Sequence, residues 1–423
     1  MTDRTSLELG GRLLDVFPST DDGGALAVHT LFDQSNTSAF GTFETAELTP
    51  ALQLDFTYGI NVQTGTSAVV TSGTVDTNSS RLRLSTGTNA SGAAVFTSRK
   101  PARYRPGQGI TARFTPLFST GIANSTQIWG CGNATDGYFF GYNGVAFGIL
   151  HRNAGADTWI AQSAWNVDKV DGSSGTAFTY NPTFGTPVMI KYPYLGFGNI
   201  LFFIQNPVTS RWVLVHVIHY ANTTASVQTS NPSLNFYGQA VNSGNTSNLV
   251  MYCGSIGIFL SGVRSFVGSP KWAMDNNKAT ITTETPLLTI RNAGSYNGLT
   301  NRGLIRLNSV SLSSSAGAGA AIFRLKINAT LGGTPSYAAV SGTTADGGTS
   351  ITSGNSVASY DTAGTSVSGG VYQWGMVVDN PNSQVVDLLP YDIFLAPGET
   401  GTFSGFSTNS ATMGIAANWS EDI

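Results

Sequence analysis

The chain has 423 residues, length for two to three domains, yet only 11% of them are charged, against about 25% in ordinary soluble domains. No run approaches the roughly 18 apolar residues of a spanning helix, so no membrane insertion is expected. Disorder is excluded by 23 Phe, 15 Tyr and 7 Trp, whose apolar area offsets chain entropy.

What remains is a folded protein wetted by Ser, Thr, Asn and Gly. The N-terminal stretch MTDRTSLELGG lacks the apolar core of a secretory signal. Cys131 and Cys253 lie far apart in apolar surroundings and read better as buried free thiols than as a disulfide. A surface of extracellular type without an export signal fits a virion protein, made in the host cytoplasm and released by lysis. The virion is therefore the expected location.

Residues 1–45 form a polar N-terminal arm whose dense apolar cluster, Leu7 to Phe17, either folds back or docks on a neighbouring subunit. Residues 46–265 read as a large β-sandwich. Leu52-Gln53-Leu54-Asp55-Phe56 and Arg81-Leu82-Arg83-Leu84 alternate with period two. Tyr138 to Tyr142 and Val145 to Leu150 read as a hairpin turning at Asn143-Gly144. Glycines alternate with bulky residues through that hairpin, which allows close approach at each glycine. Further strands are expected at Met189–Tyr192, Ile200–Ile204, Trp212–Tyr220 and Leu249–Tyr252. Residues 266–286, polar and ending at Pro286, read as a connector. Residues 287–423 read as a second sandwich, with Ala321 to Ile327 alternating cleanly. The expected fold is all-β: two antiparallel, jelly-roll-like sandwiches behind a short arm.

Catalytic chemistry is sparse. His216 and His219 stand three apart in one expected strand, on opposite faces, and share no metal. Six glutamates lie mostly near termini and turns. A glycosidase needs two carboxylates across one cleft, and nothing local brings Asp55 and Asp136 together. No catalytic residue, cofactor or metal is expected. Between Asp76 and Asp136 no acidic residue occurs, while Arg81, Arg83, Arg99, Lys100, Arg103, Arg105 and Arg113 do. The bland reading is a solvated face; the sharper one is an interface with an acidic partner or neighbouring subunit. Nucleic acid is not expected of a chain at net −3. Trp159, Trp165 and Tyr194 fall in apparent loops and are candidates to stack on sugar rings or fill a partner interface.

Ala102-Arg103-Tyr104-Arg105-Pro106-Gly107-Gln108-Gly109, then Asp136-Gly137-Tyr138-Phe139-Phe140-Gly141-Tyr142, resembles structural proteins of tailed bacteriophages and large DNA viruses. The second unit, from Pro286-Leu287-Leu288-Thr289-Ile290 to Leu395-Ala396-Pro397-Gly398-Glu399-Thr400, is similar to the C-terminal part of such proteins. The resemblance implies a non-enzymatic virion role in tail, fibre or capsid, with no catalytic residues to carry over. The expected partners are further copies of the chain, a trimer or other cyclic ring, together with other virion proteins. A lectin-like protein binding a host-surface glycan is the alternative.

Overall fold

Strands form where apolar residues recur at every second position, and sheets pair them so that one face is dry. The computed structural model describes residues 5–9, 12–18, 26–28, 48–173, 178–262, 269–296, 298–315, 319–340, 356–379 and 381–422. The chain divides into two units, 1–264 and 265–423. Among the described residues every pairing of two strands is antiparallel, and one isolated bridge, Leu48 to Gly262, is parallel. Within the arm, Thr5–Leu9, Arg12–Pro18 and Leu26–Val28 make a three-stranded sheet. The docking role expected of its apolar cluster rests on side chains outside those described.

The first unit is a β-sandwich. One sheet runs Ala156–Ala161, Ala146–Asn153, Gly137–Asn143, Ser125–Gly132, Asn235–Asn242, Ala93–Ser98, Gly65–Val70. The other runs Trp212–Ile218, Ile200–Gln205, Val188–Pro193, Gly109–Leu117, Val250–Ser261, Arg81–Ser85, Thr74–Asn78. Leu48–Asp55 joins this second sheet beside Val250–Ser261. Inner-facing side chains of both sheets meet in one core that includes Leu82, Leu84, Phe114 and Ile258 from one side and Phe96, Trp129, Phe140 and Phe236 from the other. Each such ring contributes on the order of 2 kcal/mol by burial. Phe140 meets Phe202 edge-on at 5.4 Å, a favoured aromatic geometry.

Glycines make room for these rings. The Trp129 ring lies where a side chain at Gly238 would stand. Phe139 on the outer face likewise occupies the space over Gly132 and Gly137. The hairpin forms, with its turn one residue later than the sequence indicates. Asn143 pairs with Ala146, so the central residues are Gly144 and Val145. Gly144 has φ +60°, and Val145 keeps an ordinary φ. That is the glycine-first two-residue turn, which needs only one positive φ.

The second unit is also a sandwich. Its five-stranded sheet is built from Lys271–Ile281, Ala411–Asp422, Leu304–Ser315 and Asn382–Asp387, with Phe394–Leu395 pairing onto Leu304–Ser315. Its six-stranded sheet runs Ala338–Ala339, Ala358–Asp361, Thr285–Asn292, Thr400–Ser407, Ala320–Ile327, Val371–Asp379. Trp419, Leu287, Phe323, Leu325 and Met413 are among its buried core.

The expected connector, 266–286, is corrected here. Lys271–Ile281 is an 11-residue strand of this second unit. It pairs residue for residue with Ala411–Asp422 over most of its length. Trp272 and Met274 point to the core while Lys271, Ala273 and Asp275 are exposed. An edge strand with one wet face reads as polar linker when alternation is weighed less than composition.

Candidate functional site

The basic stretch does not make one surface. Arg81 and Arg83 lie on the outer face of the eight-stranded sheet, opposite the buried Leu82 and Leu84. Arg83 faces Asp76 across the hairpin, and their side chains form a two-pronged ion pair. That pairing holds the Asp76 carboxyl below its ordinary range. Arg81 lies over the Tyr252 ring, 4.3 Å from its centre. Arg99 and Lys100 follow a strand of the seven-stranded sheet, and the Arg99 guanidinium donates to the Gln63 carbonyl at 3.4 Å. Arg103 and Arg105 occupy the next loop, where Arg103 donates to Ser233 Oγ at 3.1 Å. Contiguity in sequence misled because strand ends send successive residues to different sheets. Of these residues, Arg113 lines the groove described below.

The three candidate aromatics also separate. Trp165 is 3% exposed and lies between Phe140 and Phe147 in the core. A ring without an open face stacks on nothing from solvent, so this candidate is corrected. Trp159 belongs to the strand Ala156–Ala161 and not to a loop. It packs on Ile128, Phe139, Leu150 and Tyr237 outside the seven-stranded sheet. Arg152, tied to Asp157 at 2.6 and 3.0 Å, lies over Phe139 there. Tyr194 is half-buried, edge-on to Tyr104, with its hydroxyl donating to the Thr229 carbonyl at 3.0 Å.

Asp55 and Asp136 stay apart. Asp136 is fully buried, where it receives Thr135 Oγ1, the Ala154 amide, Thr229 Oγ1 and both donors of Ser230. It fastens the 133–137 turn to the 228–231 segment. Cys131 and Cys253 are free and buried, and burial pushes both thiols up to about 12, which keeps them unreactive. Among the described residues no three His, Cys, Asp or Glu side chains cluster as a metal site. His219 lies past the end of its strand, so strand alternation does not place it opposite His216.

An open groove of about 490 Å³ crosses the outer face of the eight-stranded sheet. Strand register explains its lining. Gln53, Gly257, Arg113 and Met189 form one lateral row. Asp55 and Ser255 begin the next, which continues over Thr115 and Pro187 to Trp212. Gly257 supplies the floor. A side chain there would collide with the Phe259 ring, which lies across it. Arg113 stands over the same ring, 5.6 Å from its centre, within reach for a cation–π contact. Its Nε is buried without a hydrogen-bond partner. Asp55 is exposed and accepts the Thr57 amide at 3.1 Å. Trp212 and Phe259, both partly exposed, supply two aromatic walls.

Sequence reading missed this site apart from Arg113. Trp212 was legible only as a strand residue, and Asp55 as a strand residue and a carboxylate with no partner brought to it. The available signal was polar residues, Gln53 and Asp55, on one face of a strand whose other face is leucine.

No family model matches the chain, and neither does any curated protein. Among solved structures the chain is similar to peanut lectin with a nine-residue peptide, at TM-score 0.35 and 10% identity over 52% of this chain and 100% of that one. It is similar to a Bauhinia forficata lectin in complex with GalNAc, at 0.32 and 13% over 50% and 99%. It is also similar to a β-1,3-glucanase from Mycobacterium marinum, at 0.33 and 11% over 49% and 98%.

Proposed function

We propose that the first unit binds a saccharide in the groove on its eight-stranded sheet. The observation that carries this reading is the combination of two aromatic walls, Trp212 and Phe259, with Arg113 and Thr115 between them and Gln53 and Asp55 on the strand beyond Phe259. Ring faces cover the apolar face of a sugar, and the polar groups replace water at its hydroxyls. From Asp55 to Trp212 the groove crosses five strand spacings, on the order of 24 Å, which suits an oligosaccharide. Hydrolysis would need two carboxylates across the cleft, and Asp55 is the one carboxylate among its described lining residues. Binding without turnover is the reading that follows. A glycan array probed with the full chain, followed by titration of the best ligand, tests it. Trp212→Ala is expected to weaken binding by about 2 kcal/mol, roughly 30-fold. Unchanged affinity in that variant, or release of reducing sugar by the wild type, defeats the reading.

The second reading, a particle component assembling through protein contacts, is favoured by one edge of the second unit. Val371–Asp379 and Asn382–Asp387 are the edge strands of its two sheets. They expose Tyr372 (56%), Val377 (57%) and Val385 (75%). Neither carries a Lys, Arg or Pro, the residues that usually guard an edge. The two readings join in an attachment protein of a virion.

A further inference from the structure

The groove contains one cation, and its charge is uncompensated. No ion pair or hydrogen bond joins Arg113 to any acidic residue among those described. Its Nε has lost water and gained no acceptor, a cost that a ligand oxygen would remove. Asp55 lies two strands away, about 10 Å by strand spacing, and is held by its own turn. Arg113 is also fixed from below. Gly257 leaves room for Phe259 to lie flat, and the guanidinium lies above that ring. A planar, oriented fork of donors suits a carboxylate, which it meets with two parallel hydrogen bonds. At the other end, the Asp55 carboxylate and the Gln53 amide suit hydroxyl donors and repel a second acid.

We infer that the groove selects an acidic saccharide. One carboxylate of the ligand pairs with Arg113, its ring lies against Phe259, and a neutral sugar unit reaches Asp55 and Gln53. This rests on the glycan reading above and adds the ligand class to it.

The test is calorimetric titration of the full chain with matched pairs at low salt. A xylotriose bearing one glucuronic acid is compared with plain xylotriose, and sialyllactose with lactose. The acidic member of at least one pair is expected to bind about tenfold more tightly, with the preference shrinking as NaCl rises. Arg113→Gln should equalise that pair, while Arg113→Lys keeps part of the preference. Circular dichroism confirms that each variant is folded. Equal binding of acidic and neutral members by the wild type overturns the acid preference and leaves the groove reading standing. A preference that survives Arg113→Gln overturns the role given to Arg113. No binding of any probe, with no hit on the array, overturns both.

Discussion

Asp136 shows how a single side chain can hold one end of the first unit. Five donors converge on its carboxylate, and the residue has no exposed surface. Removing an acceptor there strands several buried donors at once. Asp136→Ala is expected to cost about 4 kcal/mol, while Asp136→Asn, which keeps one carbonyl oxygen, costs less; chemical denaturation of both variants checks the order. His216 gives a pH dependence. Burial, with the nearby His219 second, lowers it to about 4, and the Asn166 amide donates to its Nδ1 at 3.2 Å. The unfolded chain binds this proton near pH 6.5 and the folded one only near 4. Stability is therefore full above pH 6.5 and falls as the pH drops from there toward 4. A melting temperature measured across that window should decline less steeply in His216→Gln. No change in slope would remove His216 from the account.

Elements divided into legible and illegible ones for physical reasons. Arg81–Ser85 and Ala320–Ile327 were readable because each alternates dry and wet positions, and each is inner on one face in the structure. Lys271–Ile281 was misread because an edge strand touches only one neighbour and can carry Asp, Asn and Lys along its open side. The groove was illegible because four separate strands contribute to it, and only register brings Gln53, Arg113 and Gly257 into line. Trp165 was misjudged because nothing local distinguishes a loop aromatic that faces solvent from one that turns inward. The unguarded edge strands of the second unit carry a prediction of their own. Val377→Lys with Val385→Lys should reduce self-association, read as mass in solution, because a charge on each edge opposes strand pairing. A wild-type chain that is monomeric at micromolar concentration defeats the assembly reading.

At the scale of the molecule, low charge and many aromatics indicated a folded chain, because both describe how much area must be buried and neither depends on order; the sandwiches were legible in the period-two alternation. Order enters through the strand Val250–Ser261. It pairs on one side with Gly109–Leu117 and on the other with both Arg81–Ser85 and Leu48–Asp55. Among the described strands, Leu48–Asp55 pairs with no other. Gln53 and Asp55 thus emerge early in synthesis and wait for the strand that bears Gly257 and Phe259. At about 5–20 residues per second the wait lasts on the order of ten to forty seconds, and closing so long a loop adds its own delay. The hairpin at Gly144 has no such wait. The groove is therefore among the last features of the first unit to come into existence, and the proposed saccharide binding should return on refolding only after most of the β-structure already has.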